Sequence, residues 1–304
     1  MTASQRLESV CSEESSRYRP FLDASFYPSG SNITDDWTYQ IASGSGLDQL
    51  SEARMMHETL SEPLRVLVLY GSNRQRSFSK LMAYEASRLL HHLGCHVRVF
   101  NPQGLPLKDD CDHPDICADS GGTESHPKVI ELRNLVTWSE AHFWCSPEQH
   151  GNMTGIMKTI IDHIPLSLGS VRPTQGKILA VSQVNGGSQS FNAVNSLRIL
   201  GRWMRMFTIP NQASLPKAWT QFTEQEGRMK ESSNRERLVD VVEELVKVGC
   251  LFRGREELMA SRWSERKERG EMGRLLSQEE KEKRKKEEEM KAKQAEDKVT
   301  PDVL

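Results

Sequence analysis

L-V-L-Y-G-S-N-R-Q-R-S-F-S, residues 67–79, runs from a β-rich apolar segment through Gly71 and Ser72 into alternating polar residues, then into a helical pattern. Gly71 permits a tight turn at the end of a strand because it lacks a Cβ. Ser72, Ser77 and Ser79 carry hydroxyls, and Arg74 carries a planar fork matched to phosphate oxygens. A helix that begins near Ser79 adds free backbone N–H groups and a positive dipole end. The stretch predicts a strand, a phosphate-holding loop and a helix, in that order.

Which phosphate follows from what is missing. The segment has no G-x-x-x-x-G-K-S/T signature and no G-x-G-x-x-G pyrophosphate turn. A single terminal phosphate, as on FMN, fits these donors better than a dinucleotide. On these residues alone, a loop that merely caps a helix is the competing reading.

Outward from this loop, strand-like and helix-like patterns alternate. Residues 65–70, 96–100, 141–146 and 177–184 read as strands, and residues 207–209 begin a fifth that Pro210 stops. Helical spacing covers residues 79–93, 127–136, 154–164, 190–206 and 238–251, with Pro127 suited to a first helical position. Alternating strands and helices predict an α/β, doubly wound, three-layer domain over residues 62–255. In that architecture ligands sit beyond the carboxyl ends of the strands.

The flanks differ. Residues 1–61 are rich in Ser, Asp and Glu, with scattered aromatics such as Tyr18, Phe21 and Trp37. They predict an N-terminal arm, partly disordered or packed on a neighbouring subunit. Residues 256–304 form a charged helical or disordered tail, in which residues 279–289 are all charged, E-E-K-E-K-R-K-K-E-E-E. Close mixed charge supports a solvated helix, and the missing apolar seam argues against a coiled coil.

Composition excludes several function classes. The 304 residues carry a formal net charge of −2, which disfavours bulk attraction to nucleic acid or an acidic membrane surface. No stretch approaches the roughly 20 apolar residues of a membrane span, and the first residues show no apolar leader. The six cysteines, Cys11, Cys95, Cys111, Cys117, Cys145 and Cys250, form no Cys-x-x-Cys pair. Reduced thiols in the cytoplasm are expected, with no metal site. The sequon Asn32-Ile33-Thr34 then reads as a chance match.

Two later loops resemble the first in being rich in Gly, Ser or Pro. After the third strand come Ser146, Pro147, Glu148, His150 and Gly151, a loop that can offer backbone groups to the edge of a planar heterocycle. Glu148 and His150 can touch a flavin or substrate, or simply hydrogen-bond within the loop. Lys158 and Asp162, one turn apart, read as a structural pair. After the fourth strand, Gly186 and Gly187 allow close approach of a ligand, and Ser188 or Ser190 can cap the next helix.

These segments, together with residues 165–212, P-L-S-L-G-S-V-R-P-T-Q-G-K through G-G-S-Q-S-F-N to I-P-N-Q, resemble the ArsH (arsenical resistance) branch of the NADPH-dependent FMN reductases. The resemblance covers residues 62–252 and leaves the charged tail outside. It implies a flavodoxin-like fold with a five-stranded parallel sheet in the order 2-1-3-4-5. It implies an oxidoreductase that takes hydride from NADPH onto FMN and delivers electrons to oxygen, quinones, azo compounds or metal ions. Oxidation of trivalent organoarsenicals and a homotetramer are implied as well.

By matching position, Ser72, Arg74, Ser77 and Ser79 hold the FMN phosphate. Ser146, Pro147, Glu148, His150 and Gly151 line the ribityl chain and ring, and Gly186, Gly187 and Ser188 lie along the isoalloxazine. Asn73 and Asn185 depart from the branch, which favours Leu and Ser there. No acid or base residue is expected to be catalytic.

Arg172, Lys177 and the set Arg198, Arg202 and Arg205 are candidates for the extra NADPH phosphate, although the last three also fit an interface stripe. Cys145 in its apolar strand reads as a buried thiol rather than an arsenic ligand, and Cys111 and Cys117 flank His113 in a polar loop. The rival readings are a general NAD(P)H:quinone or azo reductase, a non-enzymatic flavodoxin-type electron carrier, and a flavin-free interaction module.

Overall fold

A computed structural model describes residues 17–28, 32–44, 50–108, 126–165, 173–255, 258, 262–274, 276 and 278–297. Cys11, Cys111, Cys117, His113 and Arg172 lie outside the described residues.

Five strands pair in parallel: β1 (Arg65–Tyr70), β2 (His96–Phe100), β3 (Ala141–Gln149), β5 (Ile178–Val184) and β6 (Phe207–Leu215). Their order is β2-β1-β3-β5-β6, and a two-residue strand, β4 (Asn152–Met153), pairs antiparallel with β3. Counting the parallel strands alone, this is the expected order 2-1-3-4-5. The sixth strand arises because β3 runs on past Ser146 to Gln149 and folds back as a hairpin.

Along β1, Val66, Val68 and Tyr70 belong to one buried cluster and Leu67 and Leu69 to the other, as the period-two pleat requires. Helices α3 (Phe78–His92) and α7 (Ser233–Phe252) cover the first face through residues such as Met82, Leu89, Val242 and Leu245. Helices α4 (Pro127–Trp138), α5 (Gly155–Asp162) and α6 (Asn192–Trp203) cover the second through Leu132, Ile160 and Leu197. Burial on both faces explains why β1 and β5 read as continuous apolar runs rather than alternating ones.

The expectation that Pro210 stops the last strand fails. β6 continues through it to Leu215, and the pairing with β5 slips between Leu179 and Val181. Proline is tolerated here because β6 is an edge strand and the irregularity removes the need for its missing N–H.

The described part of the N-terminal segment packs on its own chain. Phe21, Ala42 of α1 (Trp37–Ser43), and Leu50 and Ala53, before and within α2 (Ser51–Glu58), join the first core cluster. A buried charge cluster ties it down. The Arg228 guanidinium donates to Glu85 at 2.8 and 3.1 Å and to Asp36 at 2.6 Å, and the Met229 N–H donates to Glu85 at 2.9 Å. Helices α8 (Trp263–Met272) and α9 (Gln278–Asp297) follow, and Arg284–Glu288 makes an i,i+4 pair in the charged run. Among the described residues no helix is long and apolar enough to cross a membrane, and no cluster of three metal-ligating side chains occurs.

Candidate functional site

The loops after β1, β3 and β5 converge on one cleft of about 730 Å³ at the carboxyl ends of those strands. That volume suits a cofactor-sized ligand.

Gly71 forms its floor. A Cβ there would stand 2.7 Å from the Met157 Cβ and 2.8 Å from the Thr154 Oγ1, so the requirement is close approach rather than an unusual φ. Thr154 caps α5 by accepting from the Met157 N–H at 3.3 Å, and its hydroxyl donates to the Gly71 carbonyl at 2.7 Å. Sequence reasoning passed over Thr154, whose signal was its place before a helix and after a glycine loop.

Next along the chain, the Ser72 hydroxyl accepts from the Arg74 N–H at 3.3 Å. Ser77 is the N-cap of α3 and accepts from the Lys80 N–H at 3.2 Å, and the Ser77 and Ser79 hydroxyls bond to each other at 3.0 Å. Ser72, Arg74 and Ser77 line the cleft, whereas Ser79 is fully buried beneath it. Arg74 is exposed, and among the described residues no hydrogen bond or ion pair engages its guanidinium. Arg76 also lines the cleft, but its guanidinium donates to the Thr223 and Glu224 carbonyls at 2.8 Å each. One arginine therefore fastens the loop while the other stays available for an anion.

On the second loop, Pro147 and Glu148 line the cleft. Ser146 is fully buried below, donating to the Pro147 carbonyl at 2.9 Å and accepting from the Thr154 N–H at 3.2 Å. His150 and Gly151 occupy the tip of the β3–β4 hairpin with φ of +51° and +71°. Two consecutive left-handed residues are what a tight two-residue hairpin demands, and this turn carries both residues away from the cleft lining.

On the third loop, Asn185 and Gly186 line the cleft, while Gly187 and Ser188 stand behind it. The Gly187 carbonyl accepts from the Lys217 N–H, and the Ser188 carbonyl accepts from the Asn185 side-chain amide. The Asn185 Oδ1 is buried and accepts no hydrogen bond from the described residues. A buried acceptor without a donor is costly in a protein interior, and a ligand N–H would satisfy it. The N-cap residue of α6 is Phe191, and of the two expected serines Ser190 reaches the helix start, its hydroxyl accepting from the Asn192 N–H at 3.4 Å.

The proposed NADPH-phosphate cations stand elsewhere. Lys177, Arg202 and Arg205 lie near the starts of β5 and β6, at the opposite end of the sheet from the cleft. Lys177 donates to the Val136 carbonyl, and Arg205 pairs with Glu265 at 3.2 Å. Arg198 donates to Gln212 and to the Pro210 carbonyl. Cys145 is fully buried, and burial pushes its thiol up to about 12 against a hydrogen bond with Ser182. Such a thiol is a poor nucleophile and a poor metal ligand at neutral pH.

Residues 64–220 match the family described as NADPH-dependent FMN reductase. The chain belongs to this family, in its ArsH branch. It is 56% identical over 209 residues to the NADPH-dependent FMN reductase ArsH of Acidithiobacillus ferrooxidans, covering 69% of this chain and 83% of the relative. It is 59% identical to the ArsH of Rhizobium meliloti, over 67% of this chain and 80% of that protein. With the ArsH of Shigella flexneri it shares 54% identity over 68% and 77% of the two chains. The chain is thus an oxidoreductase of the flavin type, with FMN and NADPH as its cofactors.

The residues present fit FMN. The cleft offers an unpaired guanidinium and two serines at a helix N-terminus for a phosphate, a floor without a Cβ, and an orphaned carbonyl oxygen at the far loop.

Proposed function

We propose that the protein oxidises NADPH through FMN held in this cleft and passes the electrons to small-molecule acceptors: oxygen, quinones, azo compounds, metal ions and trivalent organoarsenicals. The observation that carries the reading is the convergence of the three loops on one cleft with Arg74 unpaired. Arg74, Ser72 and Ser77 hold the phosphate together with the first N–H groups of α3. Pro147, Glu148, Asn185 and Gly186 flank the ring and exclude water from one side. Ser79 and Ser146 support these walls from beneath, and His150, Gly151, Gly187 and Ser188 shape the two loops. Bound FMN supplies the hydride and electron chemistry, so no side chain of the protein is required as acid or base.

The arsenical role rests on the identity with the ArsH relatives. Cytoplasmic placement is supported by the free thiols of Cys95, Cys145 and Cys250. Assembly as a homotetramer is supported by exposed apolar side chains such as Ile199 and Trp203, both on α6.

The decisive experiment compares NADPH consumption with methylarsenite and with a quinone as sole acceptor. Turnover of both supports the reading, and turnover of the quinone with inert methylarsenite makes the protein a general quinone or azo reductase. A purified protein that is colourless and takes up no FMN on titration overturns the site assignment altogether. NADPH oxidation without any partner protein excludes a mere electron carrier.

A further inference from the structure

Gln183 sits in β5 with no exposed surface, and both ends of its amide are engaged. Its Oε1 accepts from the Val194 N–H at 2.9 Å, in the first turn of α6. Its Nε2 donates to the Glu148 Oε2 at 2.7 Å and to the Ser190 carbonyl at 3.0 Å. The Val194 N–H can only donate, so the oxygen of the amide must face it and the nitrogen must face Glu148. The Glu148 Oε2 opposite is therefore the acceptor of this contact. At the start of α6 the Ser190 hydroxyl accepts from the Asn192 N–H at 3.4 Å, and this amide supplies a second acceptor from the sheet below. One buried side chain thus ties together the end of β3, the loop after β5 and the first turn of α6.

We propose that Gln183 is a positioning residue for the flavin site: its amide fixes the Glu148 carboxylate in the cleft wall, beside the Asn185–Gly186 loop. The inference rests on the reading that FMN occupies this cleft. A fixed negative charge beside the ring opposes further negative charge there, so the pair sets the reduction potential of the bound flavin as well as the shape of its wall.

The surroundings leave this charge under the control of Gln183. The other charged side chains lining the cleft are Arg74 and Arg76, both on the loop after β1, and Arg76 is occupied by two carbonyls. β5, β6 and the first turn of α6 carry no ionisable side chain. On β3, burial keeps His142 and Cys145 uncharged, His150 lies beyond at the hairpin tip, and Lys217 follows β6.

Q183E keeps the size of the side chain and an acceptor for the Val194 N–H but has no donor. Two carboxylates then meet at the contact and must share a proton. In Q183E, the FMN dissociation constant and the visible spectrum of the bound flavin are expected to vary with pH near neutrality, by at least about threefold in affinity where the wild type is flat. The double variant E148Q/Q183E, with a single carboxylate, loses that dependence. E148Q alone retains an oxygen that accepts from Gln183 but removes the charge, so the midpoint potential of bound FMN rises.

A Q183E protein as indifferent to pH as the wild type overturns the proposal, and so does an E148Q protein with an unchanged potential. If Q183E does not fold, the E148Q potential decides. Wild-type protein that binds no FMN refutes the site assignment, whereas wild-type binding with indifferent variants refutes only the role of Gln183.

Discussion

The Thr154 hydroxyl donates to the Gly71 carbonyl at 2.7 Å, joining two loops that are 83 positions apart in sequence. The same oxygen caps α5, and the Thr154 N–H reaches the Ser146 hydroxyl. One side chain therefore sets the spacing between the phosphate loop and the second loop. Replacing it with valine removes a cap and an interloop bond at nearly constant volume. Thr154→Val should lower unfolding free energy by about 1–2 kcal/mol in a urea titration and weaken FMN binding. Unchanged affinity would mean that the two loops are spaced independently of this contact.

The two arginines of the first loop should separate binding from stability. Arg74 is exposed and unpaired, so Arg74→Ala should weaken FMN binding by about 1.5–3 kcal/mol and leave the melting temperature unchanged. Riboflavin, which lacks the phosphate, should bind both proteins alike. Arg76→Ala loses two bonds to the Thr223 and Glu224 carbonyls and should melt earlier. Fluorescence titration with each ligand and a thermal scan distinguish the two, and an equal loss of riboflavin affinity in Arg74→Ala would place the phosphate elsewhere.

Arg228 neutralises two fully buried carboxylates, Asp36 and Glu85. Truncating it removes the nearest cation from both, leaving Glu85 with Arg88 at 3.6 Å and Asp36 with the hydrogen bonds of Thr38 alone. Arg228→Ala should cost about 3–5 kcal/mol of stability. Because Asp36 belongs to the N-terminal arm, limited proteolysis should cut before residue 60 sooner than in the wild type. An arm that stays resistant in a destabilised variant would show that Phe21 and the other apolar anchors hold it unaided.

Acid should destabilise the fold through histidines. Burial holds the imidazoles of His57, His92 and His96 down to about 4, and that of His91 to about 3. His57 must stay neutral because its Nε2 accepts from the Leu64 N–H at 3.1 Å. As pH falls from about 6.5, the unfolded chain takes up protons that the folded chain refuses until about pH 4. Stability is therefore complete above about pH 6.5 and declines through that window. Urea midpoints measured across it should fall steadily, and His57→Gln should flatten part of the slope. A constant midpoint over the whole window would contradict this burial.

Much of the site was legible because its chemistry is local. Gly71, Ser72, Arg74 and Ser77 lie within seven residues, and the strand before them and the helix after them are dictated by short apolar patterns. The misreadings are also local in origin. Pro210 resembled a stop until an irregular edge strand made room for it, and the hairpin turn that places His150 and Gly151 outside the cleft lining depends on a pairing no local pattern shows.

By itself, the sequence determined the alternation of strands and helices, the phosphate-binding character of the first loop and, through identity with its relatives, the flavin chemistry. Periodicity and donor chemistry within a few residues carry that information. Only the tertiary structure decided which polar groups are free and which are already taken. Arg74 is unpaired while Arg76 is engaged by residues some 147 positions away, and Glu148 is held by Gln183 across 35. Such pairings depend on which strands lie side by side, and each buried polar group must find its partner from whatever the fold brings within reach.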